Sequence, residues 1–281
     1  MKCKITIHVF TLFLLLFHSS FLFAKDKTCV DWPKVMTQSD LDQMPKNPSI
    51  LIQPFVDFTK QGGDDWLVLG LRDYLSDILR AGKNIRVPPI ATETKDFTIT
   101  GKFQHISGNL RVFVSILNGK NGELLKQLEI TFSYPGNRDF FVKLSQAATE
   151  IIKIAGAKPD TNAIARIRDA TASTRAYEAY SKGRQLLENF QPEKSEAASI
   201  WFNEAKKIDY RSPLGYTGMI NLYTFLGLYH KQRQEPFALY FQKAEEEISQ
   251  MKKVGIKIDF NKIESKLIND STQKITDSCV E

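Results

Sequence analysis

Three runs of alternating apolar and polar residues, crowded between Phe97 and Phe132, limit what this chain can fold into more than any other feature. Phe97, Ile99, Gly101 and Phe103 share one side of the first run, and Leu110, Val112, Val114 and Ile116 one side of the second. Leu124, Leu128, Ile130 and Phe132 follow in the third. A period of two belongs to strands that bury one face. Ser107-Gly108-Asn109 and Asn118-Gly119-Lys120-Asn121-Gly122 separate the runs and supply hairpin-turn residues. The expectation is an antiparallel meander, and such a sheet needs an apolar cover to be stable.

Two stretches offer that cover. Gln61-Gly62-Gly63-Asp64-Asp65 reads as a loop ending in capping residues. Trp66, Leu67, Leu71, Tyr74, Leu75, Ile78 and Leu79 then recur at helical spacing. Asp139 to Ala155 repeats the pattern with Phe141, Leu144, Ala148, Ile151 and Ala155. Ile50 to Val56 reads as a short buried strand, and Ile85-Arg86-Val87 as another.

Past Asp160 the alternation stops, and helices are expected at 161–190, 194–209, 213–230, 235–254 and 258–276. Gly156-Ala157-Lys158-Pro159 is the expected boundary. The fold class is therefore α+β. An amino-terminal α+β domain with the meander covers 49–157, an all-α helical domain covers 160–276, and 277–281 is a tail.

The chain opens with Lys2 and Lys4, an apolar stretch from Ile5 to Phe23, and the small residue Ala24 before Lys25-Asp26-Lys27. That order predicts a signal peptide over 1–24 with cleavage after Ala24, followed by an extended lead-in over 25–48. The run from Val9 to Ala24 is shorter than the ~20 apolar residues of a spanning helix, so no stable transmembrane span is expected after processing. The predicted location is the periplasm or another extracytoplasmic compartment. Processing would leave Cys29 and Cys279 as the remaining cysteines, which an oxidising compartment could join as a disulfide; two free thiols are the alternative. Net charge is +6, with acidic and basic residues mixed along the chain, so no nucleic-acid footprint is read.

The helical part repeats itself. Trp201-Phe202-Asn203-Glu204-Ala205 aligns with Tyr240-Phe241-Gln242-Lys243-Ala244, each after a helix holding Gly183 and Leu186, or Met219 and Tyr223. This order resembles the tetratricopeptide repeat, whose period is about 34 residues. The proline that closes each pair in that family is missing, and Tyr210 stands at the first such place. Ahead of it, Ile50-Leu51-Ile52-Gln53-Pro54-Phe55, Gly70-Leu71-Arg72-Asp73-Tyr74-Leu75 and Asn84-Ile85-Arg86-Val87 come in sequence. Thr100-Gly101-Lys102-Phe103, Leu110-Arg111-Val112 and Asn121-Gly122-Glu123-Leu124 complete the series. This series resembles the amino-terminal domain of TolB and the flagellar accessory (FlgO-like) domain. The resemblance implies an α+β domain that docks other envelope proteins, with no catalytic residues to carry over. The family's further helix between its second and third strands has no room between Pro88 and Asp96.

Candidate chemistry is sparse. Beyond the leader only His105 and His230 occur, far apart in sequence and with no neighbouring ligand at metal spacing. Asp64 and Asp65 suit a helix N-terminus, and Asp73 and Asp77 are spaced four apart on the helix that follows. Lys206-Lys207 and Glu245-Glu246-Glu247 read as solvated helix faces. Tyr177, Tyr180, Tyr216, Tyr223 and Tyr229 are the candidate lining of a partner-binding groove, with most of the set, about three of the five, expected to fill core instead. No catalytic residue, metal site or cofactor is assigned. The expected function is that of an exported, non-enzymatic scaffolding protein that binds other envelope proteins, in an envelope or flagellar assembly. The alternative is a small-ligand sensor or enzyme using a cleft between the domains, with Asp57 and Asp73 as first suspects.

Overall fold

The computed structural model describes residues 47–59, 64–88, 95–136, 138–187 and 191–256. The leader with Ala24, the cysteines Cys29 and Cys279, and the helix expected at 258–276 lie outside the described residues. Among the described residues no helix is long and apolar enough to cross a membrane.

The chain is a mixed α+β protein. Its alternating runs form β4 (Phe97–Ile106), β5 (Asn109–Asn118) and β6 (Leu124–Ser133), joined as an antiparallel meander. Ile50 to Val56 does not make one strand. It divides into β1 (Ile50–Ile52) and β2 (Val56–Asp57), both parallel to β4. Between them Phe55 turns into the core, and its amide is held by the Val68 carbonyl at 2.9 Å. Ile85-Arg86-Val87 is reduced to a single bridge from Arg86 to Ser49. A separate two-stranded ribbon pairs β3 (Gly82–Lys83) with β7 (Lys158–Pro159).

Helices α1 (Trp66–Leu79) and α2 (Arg138–Ile154) pack against each other and cover one face of the sheet. The helix expected over 161–190 is two, α3 (Thr161–Arg168) and α4 (Thr174–Leu187). Side-chain hydroxyls between them compete with the helical backbone. Thr171 Oγ1 donates to Asp209 at 2.7 Å, and Ser173 Oγ accepts from the Ala176 amide at 3.2 Å, which starts α4 afresh. Helices α5 (Ser195–Ile208), α6 (Pro213–Gln232) and α7 (Ala238–Lys253) follow, each packed on the one before, and α4 also meets α6.

That packing depends on missing side chains. Phe202 of α5 sits in a notch between Gly183 of α4 and Gly218 of α6, where a Cβ on either glycine would collide with its ring. Phe241 of α7 repeats the arrangement against Gly227 of α6.

One hydrophobic cluster runs from Ile50 in the sheet through Trp66 and Tyr74 of α1 to Tyr177, Phe202 and Leu226 of the later helices. A smaller cluster around Tyr216, Ile220, Phe241 and Met251 fills the space between α6 and α7. Helices α3 to α6 therefore share a core with the sheet, and α7 is held to α6 through the second cluster.

Candidate functional site

The meander's pleat sends Ile99, Phe103, Val112, Val114 and Ile130 under the helices. The alternate residues emerge on the other face. One row across that face is Val56, Lys102, Phe113 and Glu129, each the register partner of the next. Phe58 lies two residues beyond Val56, on the same side. Phe58 and Val56 are 61% and 56% exposed, among the most open apolar side chains described. The Lys102 ammonium lies over both rings, 4.7 Å from the centre of Phe58 and 5.3 Å from that of Phe113. The Arg111 guanidinium stacks 5.2 Å from Phe113 and pairs with Glu129. Cations placed over ring faces are attracted by the ring quadrupole, which fixes long side chains that would otherwise wander.

The edge of the sheet along β6 is less available than this face. Strand β6 ends the sheet, but Lys143 donates to the Thr131 carbonyl at 2.8 Å, and Lys126 pairs with Glu150 along the same margin. Lysines along an edge strand oppose the addition of another strand.

A polar cluster occupies the start of α1. Asp64 does not cap the helix with its carboxylate; Oδ1 accepts from the Tyr134 hydroxyl at 2.7 Å, and Oδ2 lies 2.9 Å from His105 Nε2. The His105 contact is close but out of line for a hydrogen bond. Burial, then the neighbouring Asp64 carboxylate, hold the Tyr134 phenol well above its ordinary range, so it stays a donor. The buried Trp66 indole N–H has no well-aligned partner and lies within electrostatic reach of Tyr134. Three elements meet here: α1, β4 and the end of β6. Sequence reasoning missed this pair, because nothing local links positions 64 and 105.

The five tyrosines do not line one groove. Tyr177, Tyr180 and Tyr216 are buried, while Tyr223 and Tyr229 are half-buried. Tyr177 belongs to the seam between α1 and α4. Its hydroxyl donates to the Gly70 carbonyl at 3.0 Å, and its ring meets those of Trp66, Tyr74, Phe140 and Phe141. Burial raises its pKa well above that of a free phenol. Along the seam Arg184 pairs with Asp77 at 3.1 Å and lies 3.6 Å from Asp73, which also takes Arg72 at 2.8 Å. Asp73 is thus committed to arginines. Asp57, on β2, accepts from the Thr59 amide at 2.8 Å. A depression of about 400 Å³ lies beside Pro135, Thr174, Ile208 and Asp209, and neither Asp57 nor Asp73 lines it.

The charge runs also need correction. Lys206 and Glu247 are only 16% and 8% exposed at their side chains and form a double contact at 3.0 and 2.9 Å between α5 and α7. The sequence held a usable sign: Glu247 falls three residues after buried Ala244, on the same helix face. His230 is engaged as well, its Nδ1 2.7 Å from Glu235 and its ring stacked 4.8 Å from Tyr240.

Compared with protein-family models and with curated protein sequences, the chain matches none. Among solved structures it is similar to a PelC dodecamer from Paraburkholderia phytofirmans at 12% identity. That alignment covers 39% of this chain and 86% of the other with a TM-score of 0.27, and a likeness this slight carries no argument about fold or function.

Proposed function

We propose that this protein is an exported, non-enzymatic scaffold that binds other proteins of the bacterial cell envelope, and that the open face of its sheet is the principal contact surface. The observation that carries this reading is the exposure of Phe58 and Val56 beside Phe113, on a face with cations held over its rings. Exposed apolar side chains gathered on one surface and rimmed by polar groups mark interaction sites. The polar clusters elsewhere fit the same reading, since Asp73, Asp77 and Arg184 are engaged with one another.

The finer architecture belongs to the proposal too. The amino-terminal part would be a TolB-like docking domain, and α4 to α7 tetratricopeptide-like pairs. The Phe202 and Phe241 notches support the second likeness, because close helix approach at small residues is what such repeats need. Assistance to an envelope or flagellar assembly is the role proposed.

The test is photo-crosslinking in cells, with a benzophenone amino acid placed at Gln104, Ser115 or Gln127 on the open face and at Glu150 of α2 as control. Discrete protein adducts from the face and not from the control are expected. Equal or absent adducts from all four positions would remove the reading.

A further inference from the structure

We infer that the open face of the sheet recognises an acidic segment of its partner, laid across β4 and β5, with Lys102 as the charge that selects it. This rests on the proposed function above and adds the chemistry of the occupant. Lys102 is exposed and its ammonium is held over two aromatic rings, yet no carboxylate among the described residues lies within ion-pair distance of it. Arg111, two strand positions along the same face, is already paired with Glu129. The face therefore offers one positioned, unmatched positive charge, between Phe58 and Val56 on one side and Phe113 on the other. Its complement is a carboxylate with apolar neighbours, which a protein segment alternating acidic and apolar residues supplies.

The same geometry weighs against other occupants. Lys102 and Phe113 stand opposite each other on the two central strands. A second copy packed face to face about a twofold axis along that row would bring two Lys102 ammonium groups together, and like charges brought together oppose association; an axis along β5 would instead set Lys102 against Glu129, which Arg111 already holds. A uniform polyanion would meet Glu129 in the same cross-strand row. A peptide with spaced carboxylates avoids both conflicts.

The experiment uses the purified full chain and two fluorescent ten-residue peptides, one alternating Glu with Leu and the other Lys with Leu. Anisotropy titrations should show binding of the Glu peptide alone, weakened at least tenfold by Lys102→Glu and by 0.5 M NaCl. Phe58→Ser should weaken it severalfold. Lys102→Gln removes the charge with little change in shape and should lose most of the same affinity, which guards against a misfolded Lys102→Glu protein. The inference is overturned if neither peptide binds, or if the Lys102 variants bind as well as the parent. It is equally overturned if heparin or phosphatidylglycerol vesicles bind in the peptide's place, or if light scattering reveals a dimer that Lys102→Glu dissolves. Crosslinks from Gln104 or Ser115 that persist in cells while the acidic peptide fails would leave the scaffold reading standing and remove only the choice of partner charge.

Discussion

Lys206 and Glu247 carry the sharpest expectations at the scale of single residues. Taking two charges out of water is costly, and each depends on the other to offset that cost. Glu247→Ala should destabilise the protein by about 3 kcal/mol in urea unfolding, by leaving the Lys206 ammonium buried and unmatched. Replacing the pair together by Met and Leu should bring stability back to near the parental value. Ser212 offers a smaller effect. Its hydroxyl accepts from the Leu214 amide at 3.2 Å and caps α6, so Ser212→Ala should cost about 1 kcal/mol. The cap could be foreseen from Ser212-Pro213 ahead of an apolar helix. The burial of Glu247 was legible from its place on the Ala244 face, but its pairing with Lys206 and the Asp64–His105 contact were not, because each joins positions remote in sequence through packing that no local pattern encodes.

Among the elements, those with a clear period were the most legible. The meander, α1 and α2 follow from spacing alone, and observed bounds lie within a residue or two of the expected ones. Errors gathered where a run was short or where side chains contend with the backbone. Ile50 to Val56 divided because Phe55 is needed in the core, and the helix after residue 160 broke at Thr171 and Ser173. The notch around Phe202 makes a test of the helix stack. Gly218→Ala would raise helix propensity by about 1 kcal/mol in isolation. Here the added methyl meets the Phe202 ring, and the net result should be a loss of about 1–3 kcal/mol. Phe202→Leu in the same background should recover part of it, measured as a rise in the urea midpoint.

Across the whole molecule the shared core has two measurable effects. Because Trp66, Tyr74 and Phe141 pack against Tyr177, a chain ending at Pro159 would leave that side of α1 bare and should not fold, as judged by amide exchange. Alkaline stability gives the second. Burial lifts the phenols of Tyr74 and Tyr177 above their ordinary value near 10. A raised folded-state pKa contributes stability that is whole below the unfolded value and declines as pH rises beyond it. Unfolding free energy should therefore fall above about pH 10 by roughly 1.4 kcal/mol per pH unit for each such phenol. Tyr177→Phe should reduce that slope by one phenol's share. From sequence the tyrosines read as partly groove and mostly core. Composition could not sort them, because an aromatic stripe at helical spacing looks the same whether a sheet or a solvent channel lies beneath it.

The bond from Tyr177 to Gly70 spans 107 positions of chain, and this has a consequence for biosynthesis. A ribosome adding about 5–20 residues per second would leave the apolar stripe of α1 bare for roughly 5–20 s before α4 emerges to meet it. During that interval the nascent chain is a ready client for holding chaperones. Were the chain exported as proposed, it would meet the translocation pore in an unfolded, threadable state.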